Sequence, residues 1–212
     1  MYQKNLSRLL SIGLLLFAAL LLTSGRLSAA TEAAQALVER TTEEMLSFLR
    51  NNRERVASDM EFLKQEVREV IVPHLDFESM TKLAVAAPWR QATAEQRESL
   101  VEEFRALLLR TYTKSLGEFS NQQVEFLPFR ASDRPDRAVV RSRIIQSSGG
   151  PPISVEYRLR LLDEGWKIYD IIIDNISLVT SYRTTFASQI RQSGLDGLIA
   201  SLAEKNTQSG AP

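Results

Sequence analysis

The sequence contains no cysteine and a single histidine among its 212 residues. Without cysteine the chain can form no disulfide bond, so its stability must come from a packed core. His74 has no second histidine to complete a metal site, and its place between Pro73 and Leu75 is typical of a loop residue. The HExxH, GxSxG, Walker-loop and GxGxxG patterns are also absent. We therefore expect no metal site, no catalytic triad and no cofactor.

The chain also lacks an excess of positive charge. It has 26 basic and 26 acidic residues, and Lys4, Arg8 and Arg26 are the charged residues of the first 30. Without that segment, 23 basic side chains stand against 26 acidic ones. A net-acidic chain argues against nucleic acid as the main partner. The remaining length is that of one domain with a sizeable core, and we expect a monomer.

The amino terminus has the pattern of a secretory signal peptide. A basic start precedes an apolar run from Leu9 to Leu22, and the small residues Ser28 and Ala30 suit a signal peptidase. The alternative, a retained membrane anchor, needs roughly 20 apolar residues. We expect Sec-type export, cleavage of residues 1–30 near Ala30, and a periplasmic protein. Since no cysteine is present, the segment cannot be a lipoprotein signal.

Apolar spacing predicts several helices in the first half of the chain. Apolar residues recur at spacings of three and four residues from Ala34 to Leu49, from Met60 to Ile71 and from Phe77 to Ala84. Thr93 and Gln96 form a capping box that starts a long helix with an apolar stripe from Leu100 to Phe119. We expect that stripe to lie against the strands that follow it.

Alternating patterns then predict four strands with short links, namely Gln122 to Phe129, Arg137 to Gln146, Ile153 to Leu162 and Trp166 to Asp174. Gly165 ends the tight turn between the last two strands, where a positive φ suits only glycine. An apolar pattern from Val179 to Ile190 then leads to Gly194 as a C-cap, and Leu195 to Leu202 form a last helix. We expect residues 31–205 to form one domain and residues 206–212 to be a disordered tail.

Helices followed by an antiparallel meander predict an α+β domain. The helices are expected to pack on one face of a curved four-stranded antiparallel sheet. That order resembles the cone-like folds of the nuclear transport factor and ketosteroid isomerase type. In such folds an apolar pocket often lies between the helices and the sheet.

Three sets of side chains are candidates for function. The first is apolar and would be an ordinary core by composition alone. The second is a basic set on one sheet face, formed by Arg141, Arg143, Arg158, Arg160 and Lys167, which could dock a partner or a phosphate headgroup or could simply be a solvated face. The third is Asp170, either a structural hydrogen-bond acceptor or a base in an apolar pocket beside Trp166, Ile168 and Ile172.

Several short motifs, in order along the chain, resemble the MlaC family of periplasmic phospholipid carriers, also called toluene-tolerance auxiliary proteins. They are HLDFESM at 74–80, PWRQAT at 88–93 with Gln96-Arg97, FRALL at 104–108 with Thr111-Tyr112, WKIYD at 166–170, ISL at 176–178, Tyr182-Arg183 before Phe186, and GLDGL at 194–198. The resemblance covers about residues 35–205. Val85-Ala86-Ala87 departs from it where relatives often have a glycine, and Asp174-Asn175 where some have Glu-Gly.

The resemblance implies a carrier that holds a phospholipid by its acyl tails and leaves the headgroup near solvent. It would pass lipid between an outer-membrane lipoprotein bound to a porin and an inner-membrane ABC transporter carrying an MCE-domain ring, which maintains outer-membrane lipid asymmetry. The pocket would be lined by the apolar set: Phe77, Met80, Trp89, Phe104, Leu108, Tyr112, Leu116, Phe126, Val155, Tyr157, Leu159, Trp166, Ile168, Ile172 and Phe186. Such a carrier is not an enzyme. The alternative is an isomerase or dehydratase of the same fold, with Asp170 as base and Tyr157 or Tyr169 as proton donor.

Overall fold

A computed structural model describes residues 32–117, 122–129, 134–146 and 149–208. The predicted signal peptide and residues 209–212 lie outside these ranges. Within the described residues, no helix has both the length and the apolarity needed to cross a membrane.

The first half of the chain is helical. Its elements are α1 (32–51), α2 (Arg53–Ser58), α3 (Met60–Val70), a 3₁₀ turn (Val72–His74), α4 (Phe77–Val85), a second 3₁₀ turn (Ala87–Gln91) and α5 (Ala94–Gly117). The predicted capping box is confirmed, because the Thr93 hydroxyl accepts from the Gln96 amide at 3.2 Å and the Gln96 side chain accepts from the Thr93 amide at 3.1 Å. Asp76 caps α4, because its carboxylate accepts from the Ser79 amide at 3.0 Å.

The second half is a meander that ends in a helix. The strands are β1 (Gln123–Phe126), β2 (Arg137–Ile145), β3 (Ile153–Leu162), β4 (Gly165–Ile173) and β5 (Ile176–Ser177), followed by a 3₁₀ turn (Thr180–Tyr182) and α6 (Arg183–Gln208). Each strand pairs antiparallel with the next in a single sheet of order β1-β2-β3-β4-β5. Gly165 has the predicted positive φ, 106°. Gly194, at φ 71°, breaks α6 into two helical segments.

The α+β class and the antiparallel sheet are confirmed, but the predicted number of strands was one too low. Asp174 and Asn175 both adopt positive φ and turn the chain back into β5. A two-residue turn of this kind joins strands tightly, and its Asp-Asn sequence suits it. Residues 206–208 of the predicted tail are the last residues of α6, which runs to Gln208.

The apolar interior consists of three clusters. The first lies among α4, α5, α6 and the 3₁₀ turns; the second lies between α1 and the sheet; the third joins the carboxyl half of α1 to α2, α3 and α5. The expectation that the α5 stripe covers the sheet was wrong. Leu100 and Phe104 of α5 instead pack with Phe186, Leu198 and Leu202 of α6, and it is α1 that lies on the sheet.

Candidate functional site

One face of the sheet, termed here the inner face, is almost entirely apolar. Residues opposite each other in an antiparallel pair point to the same side, so the register assigns each position to a face. The inner-face positions are Val124, Phe126, Ala138, Val140, Ser142, Ile144, Ile153, Val155, Tyr157, Leu159, Leu161, Trp166, Ile168, Ile171 and Ile173.

A β-bulge decides which β4 residues belong to this face. Arg158 lies opposite Asp170, but its neighbour Leu159 lies opposite Ile168, so Tyr169 is an extra residue in β4. The extra residue reverses the alternation beyond it. Asp170 and Ile172 therefore point to the outer face, and Ile171 and Ile173 take their place on the inner face. The prediction that Asp170 and Ile172 share a face with Trp166 and Ile168 was wrong for this reason.

The covering of the inner face by α1 is uneven. At one end Ala138, Leu159, Trp166 and Ile168 are buried under Ala34, Leu37 and Val38 of α1. At the other end, termed the half-covered end, most inner-face residues are only half-buried: Val124, Phe126, Ile144, Ile153, Tyr157, Ile171 and Ile173. Ser142 and Val155 form its buried floor.

A cavity of about 200 Å³ opens at this half-covered end, between α1 and the β1 edge of the sheet. It is lined by Glu39, Thr42, Glu43, Leu46, Arg50, Gln122, Gln123, Val124 and Phe126. The apolar residues Leu46, Val124 and Phe126 face a charged rim, in which Arg50 pairs with Glu43 at 2.6 Å. An apolar interior under a polar rim is the arrangement of a site for an amphiphilic ligand.

A larger depression, of about 840 Å³, lies on the helical layer beside α5. It is lined by five glutamates with Trp89, Arg97, Ser99, Val101 and Ile199. Six of its ten lining residues are charged, and none of the ten belongs to the apolar inner face. The cavity beside α1 is therefore the better candidate for an apolar ligand.

The predicted pocket residues are divided among the clusters. Seven of them belong to the helical cluster: Phe77, Met80, Trp89, Phe104, Leu108, Tyr112 and Phe186. Leu116 packs against the third cluster. Phe126, Val155, Tyr157, Leu159, Trp166 and Ile168 share the inner face. The structure does not bring the seven helical residues together with the inner face, so their role in ligand binding stays a prediction.

Sequence reasoning missed the contribution of α1 and of the β4 positions beyond the bulge. Thr42 and Leu46 line the cavity from α1, and Ile171 and Ile173 replace Ile172. The apolar stripe of α1 was visible in the sequence, but it did not indicate which surface it covers. The bulge left no signal, because Ile171, Ile172 and Ile173 are identical residues that read equally well in either alternation.

The basic set does lie together on the outer face, as the register shows for Arg141, Arg143, Arg158, Arg160 and Lys167. Acidic side chains are interspersed among them. Arg141 and Arg158 both pair with Glu156, at 3.3 and 3.0 Å. Arg160 pairs with Asp76, and Lys167 donates to the Pro73 carbonyl at 2.7 Å. These acids offset much of the positive charge, and a partner-binding or headgroup-binding role for the set stays a prediction.

Asp170 is 1% exposed and accepts a hydrogen bond from the Ser177 hydroxyl at 2.7 Å. The Ser177 oxygen in turn accepts from the Thr180 amide at 2.9 Å. Asp170 thus joins β4 to β5 and to the following 3₁₀ turn. Tyr157 points to the inner face and Asp170 to the outer face, which does not favour their acting together as proton donor and base; Tyr169 as the donor stays a prediction.

Within the described ranges, no group of three or more His, Asp or Glu side chains could hold a metal ion.

An apolar layer that a single helix covers incompletely, beneath a charged rim, defines a ligand-binding α+β domain.

Comparison with known proteins identifies the family. The family model described as MlaC protein matches residues 39–204, and the chain belongs to the MlaC family.

Among curated proteins, the chain is 22% identical over 185 residues to the intermembrane phospholipid transport system binding protein MlaC of Haemophilus influenzae, covering 86% of each chain. It is 28% identical over 171 residues to the toluene tolerance protein Ttg2D of Pseudomonas putida, covering 80% of this chain and 79% of that one. Among solved structures, it resembles the phospholipid-binding protein from Ralstonia solanacearum in complex with a phospholipid, with a TM-score of 0.74 and 35% identity over 82% of this chain and 97% of that chain.

Proposed function

We propose that this protein is a phospholipid carrier that holds the acyl chains between α1 and the half-covered end of the inner face. The headgroup lies at the charged rim formed by Glu39, Glu43 and Arg50. Two kinds of observation support this proposal. The relative from Ralstonia solanacearum, with the same fold, is a phospholipid complex, and the half-covered end is an apolar surface that the chain itself does not fully bury.

A lipid carrier needs an apolar cover for the acyl chains and needs no catalytic step. Each methylene group taken out of water is worth about 0.8 kcal/mol, so a molecule with two long chains does not leave a bilayer without cover. The inner face supplies isoleucine, valine and phenylalanine side chains for this purpose. Nonselective apolar contact is sufficient, and the carrier needs no catalytic residue.

The size of the cavity requires movement when lipid enters. Its volume of about 200 Å³ lies below the roughly 300–1,000 Å³ of ordinary small-molecule sites, and a phospholipid needs at least the upper part of that range. The lipid therefore displaces α1 from the half-covered end, where most inner-face residues are only half-buried. Ala34, Leu37 and Val38 at the covered end hold the helix to the sheet while this happens.

The proposal extends to location and partners. The predicted signal peptide places the carrier in the periplasm after cleavage near Ala30. There it shuttles phospholipid between an outer-membrane lipoprotein bound to a porin and an inner-membrane ABC transporter with an MCE-domain ring, as the family resemblance implies. Partners that open the α1 cover would trigger release of the lipid. The outer-face basic set is our candidate for contact with one of them.

Native mass spectrometry of the protein purified from a bacterial periplasm tests the proposal. We expect a bound mass of one or more phospholipids. A protein that carries no lipid, and that also fails to extract lipid from vesicles, would contradict the proposal.

A matched pair of variants locates the site. Val124 and Glu125 are neighbours on β1 that point to opposite faces. Val124→Gln places an amide among the acyl chains and should lower the lipid occupancy several-fold, because a buried amide without a partner is costly. Glu125→Gln makes the same side chain on the outer face and should leave the occupancy unchanged. Equal occupancy in the two variants would place the lipid elsewhere.

A further inference from the structure

Three hydroxyl groups meet in the apolar layer between α1 and the sheet. The hydroxyl of Tyr157 has those of Ser142 and Thr42 as neighbours. Ser142 and Tyr157 lie on adjacent strands of the inner face, and Thr42 approaches them from α1. Ser142 and Tyr157 are the hydroxyl-bearing residues among the inner-face positions defined above.

The Ser142 hydroxyl is poorly satisfied, because its contact with the Tyr157 hydroxyl is not a well-formed hydrogen bond. Ser142 is 0% exposed, and its oxygen makes no hydrogen bond of good geometry within the described residues. A buried hydroxyl in that condition is uncommon, because the lost hydrogen bonds to water are not replaced. Thr81 shows the ordinary arrangement: it is equally buried, but its hydroxyl donates to the Phe77 carbonyl at 2.7 Å.

The location of the hydroxyl cluster relative to the cavity suggests what it binds. Thr42 lines the cavity directly, and Phe126, which also lines it, lies opposite Ser142 in the sheet. Thr42 itself lies within the stretch of α1 that carries the charged rim of Glu39, Glu43 and Arg50. The cluster thus runs from the rim, at Thr42, to the floor of the half-covered end, at Ser142. In a glycerophospholipid, the ester groups occupy the same position between the phosphate and the acyl chains.

The hydrogen-bonding groups of the hydroxyl cluster also match those of a phospholipid ester. Each hydroxyl has one proton to donate, and an ester carbonyl can only accept. An ether linkage has no carbonyl oxygen, and a methylene group offers no polar atom. Given the proposed function, we infer that Ser142 and Tyr157 donate hydrogen bonds to an ester carbonyl of the bound phospholipid and so fix how deeply it enters. These two residues then give the carrier a preference for ester-linked over ether-linked lipid.

The experiment compares a diester phospholipid with its diether analogue of the same headgroup and chain length. Each is presented in vesicles to the delipidated full-length mature protein, and the lipid taken up is measured by mass spectrometry from an equal mixture. We expect the unaltered protein to take up the ester lipid in about fivefold excess, the factor that a typical hydrogen bond gives. Ser142→Ala and Tyr157→Phe should each lower the ratio, and the double variant should bring it close to one, while the total uptake remains.

Thr81→Val is the matched control, because it removes a buried hydroxyl outside the apolar layer and should leave the ratio unchanged. Equal uptake of both lipids by the unaltered protein would overturn the inference, as would an unchanged ratio in Ser142→Ala; a bound water would then be the partner of Ser142. In both cases the proposed function would still stand. Failure to take up either lipid would instead overturn the proposed function and the inference with it. Ser142→Ala deletes one poorly satisfied oxygen, so it remains a test even if Tyr157→Phe does not fold.

Discussion

Ala86 adopts a backbone conformation that suits glycine. Its φ of 61° and ψ of −129° are those of a residue that normally lacks a side chain, and a β-carbon there costs roughly 1–3 kcal/mol. The strained residue ends α4, since its amide donates to the Lys82 carbonyl at 3.0 Å. The position coincides with one of the two places where the sequence departs from the family pattern.

Ala86→Gly should therefore raise the free energy of unfolding by about 1 kcal/mol, since relief of the strain exceeds the entropy cost of glycine. Urea denaturation measures the change. Ala106→Gly, in the interior of α5, is the control and should lower stability by about the same amount. A loss of stability in Ala86→Gly would show that Ala86 is not strained.

The pKa of His74 depends on its burial and on the charges around it. Burial lowers its pKa below the ordinary 6.5, and the positive charges of Lys167 and Arg40 lower it further, while Glu44 acts in the opposite direction. The folded protein therefore binds a proton less readily than the unfolded chain. The stability that neutral His74 supplies is present above pH 6.5 and is lost as the pH falls below that value, toward the folded pKa.

Because His74 is the single histidine, its imidazole protons can be followed by NMR without ambiguity. We expect a midpoint below 6.5, and a higher midpoint in Lys167→Gln, which removes one of the two positive charges. His74→Gln should flatten the decline in stability below pH 6.5. A midpoint at or above the ordinary value would contradict the predicted environment.

Features that depend on a few neighbouring residues could be predicted from the sequence. The capping box at Thr93 and Gln96 and the positive φ of Gly165 were of this kind. The face of the sheet to which Asp170 points could not be predicted from neighbouring residues. That depends on the insertion of one residue in the pairing of β3 and β4, which is decided by the whole sheet.

The chain of hydrogen bonds from Asp170 through Ser177 to Thr180 connects three elements. β5 is only two residues long, so its own ladder gives it little stability. Asp170 supplies a buried acceptor that holds it in place. These hydrogen bonds connect β4 to the segment that leads into α6.

Asp170→Ala should lower the free energy of unfolding by roughly 1–3 kcal/mol, the cost of a buried group left without its partner. Lipid binding should be retained. Combining it with Ser177→Ala in a double-mutant cycle should show that the two effects are not additive. Denaturation curves give the energies, and the lipid content by mass spectrometry gives the function. Loss of lipid with unchanged stability would indicate a direct role of Asp170 in binding.

The helices show a similar limit of sequence reasoning. The stripes of α1 and α5 were both recognisable, because each helix has its apolar residues at a spacing of three and four. A stripe shows that a helix has a partner but does not show which one. α5 packs with α6 in the helical cluster, and α1 takes the sheet, so the predicted pocket combined residues from two separate interiors.

At the level of the molecule, the class of fold and the family followed from the order of the elements and from the motifs, both of which lie in the sequence. The site did not. Its location depends on the uneven cover of one sheet face by one helix, with Ala138 and Leu159 buried at one end and Ile144 and Ile153 half-buried at the other. Composition along the strands is equally apolar at the two ends, so the difference arises from packing alone.

The central claim is that the acyl chains of the ligand lie between α1 and the half-covered end of the inner face. A phospholipid with a photoreactive diazirine in its acyl chain tests this most directly, since the residues that it labels can be read by mass spectrometry. The account predicts labels on Leu46, Val124, Phe126, Ile144 and Ile171. Labels concentrated on Phe104, Leu108 and Phe186 of the helical cluster, or on the outer face, would contradict it.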